Sequence, residues 1–381
     1  MRLTLKKPLE RSLRAGHPWI YRDALEVPKG IKTGSSVDVF SRGQFIARGL
    51  YDGGSPIAVR VYTLLADQLI DEAFIAQKLE RALKARRGVI DPDQTTAFRL
   101  LNGEGDDLPG VVVDLYDDIA VVRLDGDAAR ALRGWVVSAL TKLRPSLSTV
   151  YERSRGGKGE LLFGPAPRNP VEIREHDVRF AVDVVHGQKT GFFLDQRENR
   201  NAIGSYARGQ DVANLFSYTG GFSVYAALAG ARKVVTVDSA QGAIENARIN
   251  FQLNGLDPEK HEFVCADVFD WLTKETRKFG LMIVDPPSFA PSEKSKGRAR
   301  SAYRDLNAAA LKQVAAGGLL AAASCSSHVG MEDFLGVLSD AGASAKRHLQ
   351  VLEVRGQPAD HPSLPAFPEG RYLKFVLVRA D

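Results

Sequence analysis

Hydrophobic and polar residues alternate with a period of two in short runs near the start of this 381-residue chain. Three such runs, at 36–40, 45–50 and 57–62, are separated by turns that contain glycine. Alternation of this kind, bounded by glycine, is typical of β-strands joined by turns. The pattern predicts a small β-barrel as a first domain at residues 1–70.

Residues 71–171 mix helical and strand-like periods. An apolar stripe at 71–87 predicts an amphipathic helix, and the runs on either side of Asp117-Asp118 predict a hairpin. We expect a central β-rich α+β domain over this stretch, ending in a linker marked by prolines. Its other predicted elements are a helix at 135–143 and strands at 149–153 and 160–163.

From residue 172 to the end, apolar runs alternate with helical segments or loops. This alternation predicts an α/β fold, a doubly wound and mostly parallel sheet, as a third domain at 172–381. In such sheets ligands bind at the carboxyl ends of the strands, so the chemistry is expected just after each run. The predicted strands are 212–216, 233–237, 262–264, 281–284 and 319–323.

The positive charge of the chain is concentrated in the first predicted domain. The whole chain has a net charge of +5, and residues 1–70 hold 11 Lys and Arg against 6 Asp and Glu, which is also +5. A basic domain on a neutral body predicts a polyanionic partner, although a solvated basic surface gives the same count. Within it, Arg14, His17 and Trp19 combine basic and aromatic groups that suit RNA. Packing of Trp19 and Tyr21 at a core edge explains them equally well.

Composition argues for a soluble cytoplasmic protein. Hydrophobic residues make up 44% and charged residues 25% of the chain, as in ordinary globular proteins. The two cysteines give no disulfide framework. The amino terminus lacks the apolar run of a signal peptide, and the longest apolar stretch, 317–325, is too short to span a bilayer. We expect neither a membrane nor a metal partner.

The first predicted strand of the third domain leads into Asn214-Leu215-Phe216-Ser217-Tyr218-Thr219-Gly220-Gly221-Phe222. Small residues here let a ligand approach the backbone as a helix begins. The loop lacks the G-x-G-x-x-G spacing that cradles a pyrophosphate, whereas S-adenosylmethionine has no phosphate. A plain strand–helix turn would look similar, so the loop alone decides nothing.

Acidic residues end the next two strands. Asp238 lies 18 residues after Gly220, where a ribose hydroxyl pair is usually bound. Asp267 is placed to accept a hydrogen bond from an adenine amino group, with Phe269 against the ring. Either acid alone is explained by a helix N-cap. Two at successive strand ends, beside an open glycine loop, favour an adenosine-type ligand.

The fourth and fifth strand ends carry the candidate catalytic residues. Asp285-Pro286-Pro287 is a stiff turn, typical of methyltransferases that act on planar nitrogen-bearing rings. Cys325 is expected opposite Asp285. Carbon 5 of cytosine attacks a sulfonium methyl only after a thiolate has added to carbon 6, so this thiol indicates cytosine-5 methylation. Cys265, inside the third strand, is interpreted as core packing.

A basic run at 293–304 follows the two prolines and holds five Lys and Arg against one Glu. We expect a mobile loop that contacts RNA phosphates and orders on binding. A solvated loop that binds nothing would have the same composition. The candidate RNA ligands in it are Lys294, Lys296, Arg298 and Arg300.

The chain resembles the bacterial ribosomal RNA large-subunit cytosine-5 methyltransferases that begin with a PUA domain. The resemblance covers nearly the whole chain, and its most specific part is 187–200, Gly-Gln-Lys-Thr-Gly-Phe-Phe-Leu-Asp-Gln-Arg-Glu-Asn-Arg. The other motifs that carry it are Gly16-His17-Pro18-Trp19, Glu104-Gly105-Asp106, Leu108-Pro109-Gly110, the 216–222 loop, Asp285-Pro286-Pro287, Ser324-Cys325-Ser326, Asp360-His361-Pro362 and Tyr372-Leu373-Lys374.

The resemblance implies a PUA domain at 1–70 and a class I (Rossmann-like) methyltransferase domain at 172–381 whose last strands lie near 350–352 and 372–378. It also implies that Gln188, Lys189, Phe192 and Arg197 help to wall the site of the methyl donor, S-adenosylmethionine. The substrate implied is large-subunit ribosomal RNA. The other expected cofactor contacts are Phe216, Ser217, Thr219, Gly220, Asp238, Ser239, Asp267, Val268, Phe269 and Asp285.

The sequence departs from a wider pattern at one position. Many RNA cytosine-5 methyltransferases have a second cysteine after the fourth-strand proline. Here Ser288 ends that segment, so the sequence does not identify the base that removes the carbon 5 proton. A water and an acidic side chain are the candidates.

Three competing functions stay open at this point. A sister family methylates a guanine ring nitrogen but lacks a cysteine like Cys325. A non-catalytic RNA-binding or ribosome-assembly factor could keep the same fold, and an NAD-dependent oxidoreductase is disfavoured by the spacing of the glycine loop. The target nucleotide and the oligomeric state, with a homodimer as one option, are left open.

Overall fold

The computed structural model describes residues 1–154, 159–289 and 295–381. The chain divides into two compact units, each assembled from distant parts of the sequence. The first comprises Met1–Ile173, Val182–Leu194 and Ala359–Gly370, and the second comprises Arg174–Ala181, Asp195–Pro358 and Arg371–Asp381.

The first unit begins with β1 (Arg2–Leu5), α1 (Glu10–Arg14), β2 (Trp19–Tyr21), β3 (Leu25–Glu26), β4 (Ser36–Ser41), β5 (Gln44–Tyr51) and β6 (Ile57–Thr63). These strands form one sheet in the order β2-β6-β5-β4-β1-β3. The pairs are antiparallel except for β1 and β4, which run parallel. The three strands predicted here are confirmed as β4, β5 and β6. Alternate residues such as Val37 and Val39 are buried, because a strand turns every second side chain toward the core.

The rest of the first unit contains α2 (Glu72–Arg87), β7 (Ala97–Asn102), β8 (Val111–Tyr116), β9 (Ile119–Leu124), α3 (Asp127–Arg130), α4 (Arg133–Leu143), β10 (Thr149–Glu152) and β11 (Glu160–Phe163). The strands form a second sheet in the order β11-β10-β9-β8-β7. The predicted hairpin is present as β8 and β9. We did not predict β7, whose apolar run is interrupted by Arg99; that arginine bonds Asp114 of β8 at 2.8 Å.

Two short strands follow, β12 (Val171–Glu175) and β13 (Val178–Val182), which pair with each other. The second unit then supplies β14 (Asp211–Leu215), β15 (Lys233–Asp238), β16 (Glu262–Cys265), β17 (Phe279–Val284), β18 (Val314–Ser324), β19 (Leu349–Arg355) and β20 (Lys374–Ala380).

The strands described in the second unit form one sheet in the order β16-β15-β14-β17-β18-β20-β19. The first five of these pair in parallel, and β20 runs antiparallel to both of its neighbours. The predicted doubly wound α/β sheet is confirmed. The strand order reverses between β14 and β17, so the carboxyl edge at this pair is the topological switch point where such folds bind ligands.

The helices of this unit are α5 (Arg197–Ala207), α6 (Gly221–Leu228), α7 (Gln241–Leu253), α8 (Val268–Lys274), α9 (Lys296–Gln313) and α10 (Met331–Ala345). Side chains of α8, α9 and α10 bury one face of the sheet, where the core includes Leu215, Met282, Tyr303 and Phe334. Central parallel strands are buried on both faces, which is why their sequences read as continuous apolar runs.

The structure contradicts two expectations. The predicted loop at 293–304 is helical from Lys296 onward, while Glu293 and Lys294 lie outside the described residues. Charged residues concealed a helical period in which Ala299 and Tyr303 are buried. Cys265 is exposed rather than in the core, because β16 is the edge strand of the sheet and has a neighbour on one side only. No helix in the described ranges is long and apolar enough to cross a membrane.

Candidate cofactor and catalytic site

The loop between β14 and α6 has a strained backbone that its surroundings hold in place. Phe216, Tyr218 and Gly220 have φ angles of 57°, 48° and 76°, in the left-handed region that non-glycine residues rarely occupy. The Tyr218 N–H donates to the Asp238 carboxylate at 2.8 Å. The Thr219 carbonyl accepts from the buried Asn250 side chain, also at 2.8 Å. Such strain persists only where several contacts determine it, and it is frequent at ligand sites.

Gly220 is the position in this loop at which a side chain is excluded. A Cβ there would lie 2.8 Å from the Cβ of Ala247 on α7, in addition to the cost of its positive φ. The glycine therefore lets the loop close onto α7. Ser217 belongs to the same arrangement, because its N–H donates to the Val237 carbonyl at 3.0 Å.

The Asp238 carboxylate joins the glycine loop to the end of β15. One oxygen accepts the Tyr218 N–H and the other accepts the Ala240 N–H at 2.9 Å. An ionised carboxylate has about four lone-pair positions, so two further donors can be accepted. Fixed by backbone amides at the switch point, Asp238 suits a pair of ribose hydroxyls. Ser239 follows it directly, and the Ser239 carbonyl accepts the Cys265 thiol at 3.5 Å.

Asp267 is the N-cap of α8. Its Oδ1 accepts the N–H groups of Phe269 at 2.8 Å and of Asp270 at 3.1 Å, so the capping interpretation applies to this oxygen. No hydrogen bond from the described part of the chain reaches Oδ2, and both Asp267 and Phe269 are exposed. The Phe269 ring meets the Phe216 ring edge to face at 6.3 Å. An exposed acid beside two aromatic rings is suited to a purine base.

Val268, the first residue of α8, is buried in the core. It anchors the turn that carries Asp267 and Phe269. The carboxyl ends of β14, β15 and β16 thus present an aromatic and acidic edge and no phosphate cradle. The chemistry of these residues is compatible with the adenosyl half of S-adenosylmethionine, and their contact with the cofactor stays a prediction.

Asp285 follows β17 and is held by Gln196, the residue that directly precedes α5. The side-chain amide N–H of the buried Gln196 donates to the Asp285 Oδ2 at 2.8 Å, and the Asn199 side chain donates in turn to the Gln196 Oε1 at 2.6 Å. Pro286, the next residue, is buried. The carboxylate orientation therefore depends on Gln196, which sequence analysis missed although it lies inside the 187–200 motif.

Cys325 lies directly after β18, on the strand that pairs in parallel with β17. Its side chain is half-buried. The next residue, Ser326, has its hydroxyl 2.8 Å from the Ser288 hydroxyl and 2.9 Å from the Tyr303 hydroxyl. Asp285 and Cys325 are therefore brought to neighbouring strand ends, as expected, and the turn that carries the thiol is tied to the turn that carries Asp285.

Lys374 and Tyr303 complete this cluster and were not singled out from the sequence. The buried Lys374 ammonium donates to the Ser326 carbonyl at 2.5 Å and to the Tyr372 carbonyl at 2.7 Å. Burial lowers the pKa of Lys374 to about 8 and raises the pKa of Tyr303. Lys374 belongs to the Tyr-Leu-Lys motif, which was the available signal; Tyr303 was hidden in the basic run.

Arg197 is buried at the start of α5 and takes part in a charged cluster within the second unit. Its Nε donates to Glu198 at 2.9 Å, and His176 lies 3.1 Å from the same carboxylate. His176 and Arg197 lower the pKa of Glu198 to about 2, and the Glu198 carboxylate in turn raises the pKa of His176. A role for Arg197 in walling the methyl donor stays a prediction.

Gln188, Lys189 and Phe192 belong to the first unit. The Phe192 N–H donates to the buried Tyr116 hydroxyl at 3.1 Å. Lys189 has a φ of 54°, and its ammonium lies 4.5 Å from the centre of the Phe193 ring. These contacts give the segment a defined conformation. Its contribution to the cofactor site stays a prediction.

The predicted RNA ligands differ in how strongly they are engaged. Trp19 donates its indole N–H to Glu104 at 2.8 Å and packs 4.5 Å from the Phe367 ring. His17 lies 3.2 Å from the Trp19 carbonyl, whereas Arg14 is exposed. In this structure the Trp19 indole therefore packs against protein groups, as the alternative interpretation of this residue expected. RNA binding by these three residues stays a prediction.

On α9, Lys296 and Arg300 both pair with Asp333 of α10, at 2.8 and 3.0 Å. Arg298 is exposed on the same helix. Lys294 lies outside the described residues. Across the described ranges, no group of histidine, cysteine and acidic side chains is arranged to hold a metal ion.

Comparisons with known proteins agree with this architecture. A family model described as S-adenosylmethionine-dependent methyltransferase matches residues 147–377, and one described as PUA-like domain matches residues 3–64. Proteins named ribosomal RNA large subunit methyltransferase I are similar over almost their full length. The one from Alteromonas mediterranea is 39% identical over 97% of this chain and 96% of its own, and the one from Aeromonas hydrophila is 40% identical over 99% and 98%.

Solved structures give the same result. The crystal structure of SMU.776, described as a methyltransferase complexed with SAH, superposes with a TM-score of 0.90 over all of both chains at 25% identity. The methyltransferase domain binds S-adenosylmethionine, in line with the family model and this neighbour. The family model spans more than half of the chain, and the relatives align over nearly all of it. The chain therefore belongs to the S-adenosylmethionine-dependent methyltransferases with a PUA-like amino-terminal domain, in the family of the ribosomal RNA large subunit methyltransferase I proteins.

Proposed function

We propose that this protein methylates carbon 5 of a cytosine in large-subunit ribosomal RNA, with Cys325 as the nucleophile. The names of its relatives support the substrate, because they are ribosomal RNA large subunit methyltransferases that align over the whole chain. The observation that carries the reaction type is the half-buried Cys325 at the end of β18, on the strand next to Asp285. A cytoplasmic location follows from this substrate.

The chemistry requires a thiol at this place. The Cys325 sulfur adds to carbon 6 of the ring, and the electron pair of the carbon 5–carbon 6 double bond is then directed toward carbon 5. S-adenosylmethionine supplies the methyl group that this carbon takes up. Loss of the carbon 5 proton then restores the double bond and expels the thiolate. Methylation of a ring nitrogen needs no such adduct.

Asp285 is proposed to bind the ring-nitrogen side of the cytosine. Its carboxylate is fixed by Gln196 at 2.8 Å, and a fixed polar group at the edge of the base orients the ring without further rearrangement. The target base has to leave any stacked position to reach both residues. The hydrogen bond between Ser288 and Ser326 at 2.8 Å keeps the two turns together while this happens.

The basic residues near the carboxyl edge and in the PUA-like domain are proposed to hold RNA phosphates. Arg14 and Arg298 are exposed, so their guanidinium groups can reach a backbone. His17 and Trp19 are proposed as further contacts in the PUA-like domain. Lys296 and Arg300 would have to share Asp333 with the RNA.

Mass spectrometry of ribosomal RNA from cells with and without the protein tests the function. We expect one 5-methylcytosine to disappear when the gene is deleted and to return with the wild-type chain. RNA that carries 5-fluorocytosine at that position should form a stable covalent complex, since fluorine does not leave as a proton does. A missing methyl group on guanine instead, or a full set of modifications, contradicts the proposal.

A further inference from the structure

Lys374 is a lysine in an unusual place. It begins β20 and lies directly opposite Ser324 in the antiparallel register with β18, one residue before Cys325. Its side chain is only 1% exposed. Fully buried lysines are rare, because removing an ammonium from water is costly unless strong partners compensate.

The hydrogen-bond partners of this ammonium offset only part of the cost of removing it from water. The Ser326 and Tyr372 carbonyls accept hydrogen bonds from it, but no carboxylate in the described part of the chain pairs with it. An apolar side chain of similar length would pack at this position without the desolvation penalty. A structural role alone therefore does not explain a charge here.

The Lys374 ammonium is bonded to the turn that carries the Cys325 thiol and the Ser326 hydroxyl. Cys325 is the charge that acts on the ammonium, and it favours the protonated lysine. Tyr303, on α9, bonds Ser326. Burial raises the pKa of its phenol, and the charge of Cys325 acts in the same direction. The turn that carries the thiol is thus bonded to one buried ammonium and to the Tyr303 phenol, which stays neutral near pH 7.

We propose that Lys374 is a positioning residue that keeps Cys325 ionised and fixes the turn that presents its sulfur. The inference deepens the proposed function, since it concerns how the proposed nucleophile is activated. A positive charge beside a thiol favours the thiolate, and at low dielectric its effect is larger than in water. Below about pH 8, where Lys374 keeps its own proton, the Cys325 proton leaves for solvent. The Lys374 bond to the Ser326 carbonyl fixes the residue that follows Cys325.

Alkylation by iodoacetamide measures this ionisation without RNA and without methyl transfer. The rate is followed across about pH 6 to 10 in a Cys265→Ala chain, so that Cys325 is the thiol observed. We expect a midpoint at least about one pH unit below the ordinary 8.5 of a thiol. In Lys374→Met the midpoint should rise by about one pH unit or more, and Lys374→Arg should restore most of the difference.

Tyr303→Phe is the matched control, because it removes a hydrogen bond to Ser326 and leaves the charge. It should leave the midpoint unchanged, whereas a purely structural role for Lys374 would make the two variants alike. If Lys374→Met does not fold, the comparison is made between the two cysteines of otherwise wild-type protein, with the Cys325→Ala chain reporting Cys265. A Cys325 midpoint equal to or above that of Cys265 would overturn the inference, as would equal midpoints in wild type and Lys374→Met.

The two proposals fail separately. In one outcome, the alkylation midpoint of Cys325 is low and depends on Lys374, but the Cys325→Ala variant still methylates RNA. This outcome would contradict the proposed function and support the proposed ionisation of the thiol. In the other outcome, Cys325→Ala loses methylation, but the alkylation midpoint of Cys325 is the same with and without Lys374. This outcome would support the proposed function and contradict the role of Lys374.

Discussion

The two halves of the carboxyl edge of the methyltransferase sheet are built in different ways. At the ends of β15 and β16, Asp238 and Asp267 accept hydrogen bonds from backbone N–H groups of the loops along this edge. At the ends of β17 and β18, Asp285 and the Cys325 turn are held by side chains from other elements, namely Gln196, Tyr303 and Lys374.

Under the proposed function, the first half of the edge binds the cofactor and the second half carries the chemistry. Backbone amides hold a carboxylate in one orientation whatever the neighbouring side chains are, which suits a cofactor of constant shape. Buried side chains can instead change the charge state of a nucleophile, because desolvation and nearby charges shift its pKa. Substitutions in the first half should therefore change affinity, and substitutions in the second half should change reactivity.

Cys325→Ala should have the largest effect. We expect methyl transfer to fall by at least about 10³-fold, since the adduct at carbon 6 cannot form, while S-adenosylmethionine affinity stays within about twofold. Single-turnover transfer and calorimetry measure the two quantities. Cys265→Ala is the matched control, because Cys265 lies exposed on the edge strand. Equal losses in the two variants would end the distinction between the halves of the edge.

Lys374→Met should change how stability depends on pH. The pKa of Lys374 is about 8 in the fold, below its ordinary value of about 10.4 in an unfolded chain. Between these values the unfolded chain binds a proton that the folded chain has released, so stability rises with pH. We expect this rise, about 2–3 kcal/mol, to disappear in the variant. Urea unfolding at about pH 8 and 10 measures it, and an unchanged slope would argue against a buried ammonium.

Asp238→Ala should weaken S-adenosylmethionine binding by about 1.5–3 kcal/mol, the range for hydrogen bonds to a charged group. Part of this loss comes from the Tyr218 N–H, which the carboxylate holds at 2.8 Å. Asp267→Asn keeps an N-capping oxygen and should cost less. Calorimetry of both variants decides the matter, and unchanged affinity in both would remove these residues from the cofactor site.

Arg298→Ala should have the smallest effect. One lost phosphate contact reduces the slope of log K against log salt for RNA binding by about 0.7 to 0.9. Arg300→Ala is the comparison on the same helix, because Arg300 is paired with Asp333 at 3.0 Å and should change the slope less. Fluorescence anisotropy at several salt concentrations gives the slopes. An effect of Arg298→Ala on cofactor affinity instead would move this residue into the methyl-donor site.

Some of this organisation is visible in the sequence alone. The apolar runs that became β14, β15, β16, β17 and β18 predict a parallel sheet, and the residues that follow them, Asp238, Asp267, Asp285 and Cys325, are then expected along one edge. The spacing of apolar residues and the residues that end each run are local properties of the chain, so they can be recognised in a single sequence. The motifs at 187–200 and 324–326 also indicated the family to which the chain belongs.

Tertiary structure decided the rest. Lys374 lies opposite Ser324 only because β20 inserts antiparallel between β18 and β19, and Tyr303 reaches Ser326 only because the basic run continues as α9. Cys265 looks like a core residue until β16 proves to be the edge strand. The physical reason is the same in each case: burial and charge state depend on neighbours that strand order brings from far along the chain, and no local period records that order.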